Sequence, residues 1–173
     1  MRKLLLVIDM QNDFIDGALG TPEAEAIVDN VVEQIGKYPS QDVFATRDTH
    51  FENYLDTQEG KKLPVVHCVK GTPGWSLNEK IAAALGPAEI IDKPTFGSAV
   101  LAEKLAAMAE KDDLEITLVG LCTDICVVSN ALLIKAHLPE TPVRVIASCC
   151  AGVTPASHKA ALDTMGMCQV EIV

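Results

Sequence analysis

Apolar residues fall into two rhythms along this chain. Short apolar runs such as LLLVI at Leu4–Ile8 alternate with longer stretches in which apolar residues recur three and four apart. The runs predict strands at Leu4–Ile8, Val43–Thr46, Glu89–Asp92, Glu115–Val119, Val143–Ala147 and Gln169–Val173. The periodic stretches predict helices at Glu23–Gly36, with Pro22 near its start, and at Leu77–Leu85, Ser98–Glu110, Asp124–His137 and Pro155–Met165. Such alternation implies βαβ units and an α/β class: a three-layer α/β/α arrangement around a six-stranded, mostly parallel sheet.

One region departs from the rhythm. Asp48–Ser76 reads DTHFENYLDTQEGKKLPVVHCVKGTPGWS, long and rich in polar, aromatic and Gly/Pro positions. Connections of that length inside a compact domain are usually functional. Ligands of open α/β sheets sit beyond the carboxyl ends of the strands. That rule singles out Asp9, Asp48, His50, Lys93 and the turn Cys122–Cys126, each just after an expected strand. No repeat, low-complexity tract or linker interrupts the pattern, so residues 1–173 are read as one domain.

Composition narrows the partners. At 173 residues, 49% hydrophobic and 22% charged, the chain can bury one sizeable core. A net charge of -10 and a pI near 4.7 would repel phosphate backbones and anionic lipid. A small neutral or cationic ligand is expected, with neither nucleic acid nor a membrane as partner. No run is long enough to span a bilayer, and Asp9 and Asp13 interrupt the apolar opening too early for a signal peptide. Six cysteines without secretory spacing read as reduced thiols in a cytoplasm.

The candidate chemistry centres on Cys126. It falls in the first turn of an expected helix marked by Thr123 and Asp124, where unpaired N–H groups and the helix dipole favour a thiolate. Cys122 lies in the approach loop, before those donors begin. Asp9 can accept the thiol proton, Lys93 can tune both by charge, and backbone N–H groups can hold an oxyanion. A buried packing cysteine, a structural ion pair and a capping threonine would be the plainer explanation. Three complementary residues at three strand ends favour catalysis. Asp48 and His50 stand two apart, with Glu59 and His67 further along, a donor set suited to Zn²⁺, Fe²⁺ or Mn²⁺ though weak on spacing alone. Aromatics make up only 4% of the chain, and Phe14, Trp75 and Phe96 are placed as walls for a flat ring. Cys68, Cys149, Cys150 and Cys168 read as packing, His137 as a partner of helix carbonyls, and His158 as solvent-facing. A nucleotide-binding module is disfavoured because DMQNDF, not a glycine-rich fingerprint, follows the first strand. A redox protein is disfavoured by the lack of Cys-x-x-Cys.

VIDMQNDF (Val7–Phe14), DKPTFGS (Asp92–Ser98) and VGLCTDICV (Val119–Val127) together resemble the isochorismatase-like cysteine hydrolases, over nearly the whole chain. The resemblance implies a catalytic triad of Asp9, Lys93 and Cys126. It also implies a cis peptide at Leu121–Cys122 and an oxyanion hole from the Cys122 and Cys126 N–H groups. Nicotinamidases of this family bind a divalent metal through an Asp-x-His pair and a later His, which maps to Asp48, His50 and His67. No further His lies between His50 and His67, so Glu59 is the expected fourth ligand, with Asp56 second. By the same likeness Phe14 and Trp75 sandwich the substrate ring. The implied activity is hydrolysis of a small aromatic amide, nicotinamide foremost, with N-carbamoyl, ureido or unrelated amides as the alternative. A homo-oligomer is expected on the same ground.

Overall fold

A computed structural model describes residues Met1 to Val173. Six strands form one sheet: β1 (Arg2–Ile8), β2 (Val43–Asp48), β3 (Glu89–Lys93), β4 (Leu114–Leu121), β5 (Val143–Ala151) and β6 (Glu171–Ile172). Their order is β3-β2-β1-β4-β5-β6 and every pairing is parallel. The central strands are covered on both faces, which is why they read as unbroken apolar runs rather than alternating ones. Leu4 to Ile8 are fully buried, and all eight residues of β4 are buried.

The helices are α1 (Asn12–Ile15), α2 (Pro22–Ala26), α3 (Val28–Ile35), α4 (Gln58–Lys62), α5 (Glu79–Leu85), α6 (Ala99–Ala109), α7 (Val128–His137) and α8 (Pro155–Met167). Side-chain alternation along β1 divides the core in two. Leu5 and Val7 pack with Val31, Ile35 and Ile81 on the α3 and α5 side. Leu4, Leu6 and Ile8 pack with Leu101, Leu105, Ile134 and Met165 on the α6, α7 and α8 side. Local chemistry fixes the helix starts. Thr21 caps α2 ahead of Pro22, Ser98 caps α6, and Thr154 with Ser157 forms a reciprocal capping pair ahead of Pro155. No helix is long and apolar enough to cross a membrane.

Beyond small shifts at element ends and a β5 that runs four residues past the expected Ala147, three expected elements differ for a local reason. The stretch expected as one helix from Glu23 to Gly36 is two, because a tight turn at Ile27 separates α2 from α3. The last strand begins at Glu171 rather than Gln169, because Gln169 closes α8 in the left-handed region at φ 67°. The helix expected from Asp124 opens instead as a π-helical turn over Thr123–Val127, with Val127 N–H donating to the Cys122 carbonyl at 3.0 Å, before α7 begins.

The strand order reverses between β1 and β4, so a crevice opens there at the carboxyl ends. Gly120 pairs with Ile8 across this seam at φ 120°, and any Cβ at that position would run into the Ile8 backbone. Only glycine permits the close approach that brings the β1 and β4 exits together. One residue on, the Leu121–Cys122 peptide is cis.

Candidate active site

Four strand exits bring the candidate groups together. Asp9 leaves β1 in the left-handed region at φ 46°, a conformation uncommon for any residue but glycine and typical of sites that aim a side chain. Its Oδ1 accepts a hydrogen bond from the Thr46 hydroxyl at 2.7 Å. Its Oδ2, sealed from solvent, lies 2.6 Å from Lys93 Nζ but accepts no well-directed hydrogen bond. Asp48 and Lys93 are register partners at the ends of β2 and β3. Lys93 Nζ also donates to Cys126 Sγ at 3.4 Å and to the Thr95 carbonyl at 3.1 Å, and stands 3.7 Å from Asp48 Oδ1.

Burial sets the electrostatics. It would lower the Lys93 ammonium, but the nearby Asp9, Cys126 and Asp48 outweigh it and hold that group above the usual lysine range. The Asp9 carboxyl is pushed up by burial, against the pull of Lys93. Cys126 is pushed well above an ordinary thiol, first by burial and then by the Asp9 charge, with Lys93 opposing. Burial and the Asp9 charge thus oppose the thiolate that the helix start was expected to favour. The sulfur is enclosed at a π turn beside Asp9 and Lys93.

The second cluster is Asp48, His50, Glu59 and His67, whose ligand atoms all lie within 4.8 Å of one another. Asp48 Oδ2 is 2.9 Å from His50 Nε2 and 3.7 Å from His67 Nε2, and Glu59 Oε1 is 3.6 Å from the first and 3.7 Å from the second. Burial opposes ionisation of Asp48, yet the two imidazoles and Lys93 hold it below the usual carboxylate range. His50 Nε2 is buried with no hydrogen-bond partner. His67 Nδ1 meets the Val65 carbonyl at 2.8 Å, which as a donated bond would leave Nε2 as the free ligand atom. An orphaned imidazole nitrogen facing two carboxylates fits a divalent ion. Asp56, the second choice, is not in the cluster.

Both clusters open on one cavity of about 500 Å³, lined among others by Phe14, Leu63, Phe96, Ile125, Cys122 and Cys126. Phe14 and Phe96 stand where a ring wall was expected. Trp75 does not, and that expectation is corrected: it is absent from the lining, its indole lies under the Arg47 guanidinium at 3.8 Å, and its N–H donates to Thr49 at 2.9 Å. The Cys122 N–H donates no hydrogen bond within the protein. Two further corrections concern residues set aside. His158 is half-buried and bonds the Thr123 hydroxyl at 2.8 Å, behind the cysteine turn, and Cys168 is exposed rather than packed. His137 meets a carbonyl of its own helix, Leu133, at 2.9 Å.

Some supporting residues escaped the sequence reading. The Gln11 side chain donates to the carbonyls of Asp48 and Trp75 at 2.8 and 2.9 Å and accepts from the Asp48 N–H at 2.7 Å. It thus fixes the end of β2 against the β1 exit. Asn130, four residues past Cys126 and so on the same helix face, donates to the Cys126 carbonyl at 2.8 Å and accepts from the Ser98 N–H at 2.9 Å.

The isochorismatase domain model matches residues 3–173. The nicotinamidase/pyrazinamidase of Mycobacterium tuberculosis is 27% identical, across 99% of this chain and 98% of that protein. An uncharacterised isochorismatase family protein of Bacillus subtilis is 31% identical, across 76% of this chain and 78% of its own length. Among solved structures, the pyrazinamidase of Pyrococcus horikoshii in complex with zinc superposes with a TM-score of 0.80 at 29% identity, covering 100% of this chain and 99% of that one.

Proposed function

Because this chain belongs to the isochorismatase family, we propose that it is a metal-assisted cysteine amidohydrolase converting nicotinamide and water to nicotinate and ammonia. The observation that carries this reading is the convergence of Asp9, Lys93 and Cys126 beside a four-ligand cluster in one cavity with aromatic walls. In the proposed reaction Cys126 Sγ attacks the carbonyl carbon while its proton passes to Asp9 Oδ2, the oxygen without a directed donor. The Cys122 and Cys126 N–H groups take the developing oxyanion. Collapse of the tetrahedral adduct breaks the C–N bond, and Asp9 returns the proton to the leaving nitrogen as ammonia departs. Asp9 then deprotonates a water that attacks the thioester, releasing nicotinate and restoring the thiol. Lys93 stays cationic throughout and balances the charge passing between sulfur and carboxylate. Asp48, His50, Glu59 and His67 would hold the divalent ion, zinc foremost with iron or manganese as the other choices, and it would supply a Lewis acid beside the ring.

The test is ammonia release from nicotinamide, pyrazinamide and a set of N-carbamoyl compounds, with metal analysis of the same sample. Turnover of nicotinamide with stoichiometric metal supports the reading, and release from carbamoyl compounds alone overturns the substrate. Chelation is expected to lower kcat/KM at least about tenfold, with recovery on adding zinc. Full activity in metal-free protein would remove the ion from the reaction.

A further inference from the structure

Helix α4 carries two duties. Gln58, Lys62 and Leu63 line the cavity, while Glu59 between them reaches the two imidazoles. A helix of five residues does not hold itself in place, because so short a segment cannot repay its nucleation. Something outside it must fix where Glu59 points.

That support is Tyr54, a side chain only 1% exposed and outside both clusters of functional groups. Its ring meets His50 edge-on at 4.7 Å and His67 at 5.0 Å between centroids. Its hydroxyl donates to the Leu63 carbonyl at 2.8 Å, tying down the far end of α4. Its own carbonyl accepts from the Thr57 hydroxyl at 2.6 Å, and Thr57 in turn caps α4 by accepting from Gly60 N–H at 3.0 Å. Gly60 sits directly on this carbonyl. A Cβ there would overlap the Tyr54 carbonyl oxygen and come within 2.8 Å of Leu55 Cα, and both are backbone atoms that cannot swing aside.

One residue therefore braces both imidazoles with its ring and both ends of the Glu59 helix with its polar atoms. We propose that Tyr54 and Gly60 are positioning residues that preorganise His50, His67 and Glu59 for the divalent ion, a reading that rests on the metal site proposed above. They touch neither substrate nor the reacting atoms. Removing the hydroxyl frees the end of α4 and lets Glu59 drift from the histidines. Adding a methyl at Gly60 lifts α4 off its seat. The sign at Gly60 is diagnostic, since alanine at an unconstrained helical glycine ordinarily stabilises the protein.

The experiment is competitive titration of zinc against a chromophoric chelator, using the full chain and the variants Tyr54→Phe, Gly60→Ala and, as reference, Glu59→Ala. Tyr54→Phe keeps the ring and is expected to weaken zinc binding about tenfold, within the range usual for residues that orient metal ligands. Gly60→Ala should weaken it at least as much. Amide exchange in metal-free Tyr54→Phe should quicken in α4 and stay unchanged in β1 and β4. If Gly60→Ala does not fold, Tyr54→Phe decides. Wild-type affinity in a folded Tyr54→Phe protein with unchanged exchange in α4 would overturn this proposal alone. Absence of zinc binding in the wild type would overturn it together with the metal site.

Discussion

Replacing Cys126 with alanine is expected to lower kcat for amide hydrolysis by at least about 10⁴-fold, because in the proposed reaction it is the Cys126 thiol, held on Lys93 beside Asp9, that forms the thioester. Cys126 is 3% exposed and lines the cavity, and only its sulfur is lost in the variant. Lys93 keeps Asp9 at 2.6 Å and the Thr95 carbonyl at 3.1 Å, so the charge network survives. Asn130 still bonds the residue-126 carbonyl, a main-chain atom, and holds the turn. The loss is therefore chemical rather than structural, and a far-ultraviolet spectrum matching the wild type beside an ammonia assay separates the two. Cys122→Ala is the control, since it leaves the main-chain N–H in place. It is expected to lose far less, although its thiol lines the same cavity and burial pushes that thiol up to about 12. Equal losses in the two variants would place the nucleophile elsewhere.

Asp9→Asn carries the second largest effect. The change is isosteric and the side-chain oxygen can still accept from Thr46, but the proton acceptor is gone. A loss of about 10²- to 10⁴-fold in kcat with little change in KM is expected, the usual worth of a positioned general base. Stability falls as well. Lys93 is 1% exposed and loses its closest anion, leaving Asp48 at 3.7 Å as the remaining carboxylate. Breaking a buried ion pair from one side typically costs about 3–5 kcal/mol. Thermal unfolding and steady-state kinetics on one preparation measure both effects. A variant that keeps wild-type kcat would exclude Asp9 as the proton carrier.

How far the sequence reached depended on whether a feature was local. Strands β1 and β4 were legible because burial on both faces writes an unbroken apolar run. The exits of those strands were therefore legible too: Asp9 follows β1 and Cys122 follows β4, while Asp48 and Lys93 close β2 and β3. The break at Ile27 and the π turn before α7 were not, since both keep helical spacing while altering one turn of hydrogen bonding. Trp75 misled because its place at the end of the long loop said nothing of Arg47, which covers its ring from β2. His158 was hidden in the same way, its partner Thr123 being 35 residues earlier in the chain. Gln11 and Asn130 bond backbone groups of segments 37 and 32 residues away, and Tyr54 reaches a carbonyl across a loop, and no spacing rule encodes such partners. A helix start taken alone favours a thiolate at Cys126. Enclosure beside Asp9 pushes that thiol the other way, and enclosure is a property of the fold rather than of the motif.

The most direct examination of the mechanism is acid quenching during nicotinamide turnover, followed by proteolysis and mass spectrometry of the peptide spanning Cys122 and Cys126. Fragmentation between the two cysteines locates any acyl group. The account predicts a nicotinoyl thioester on Cys126 and none on Cys122. Acylation of Cys122 with Cys126 unmodified would contradict it.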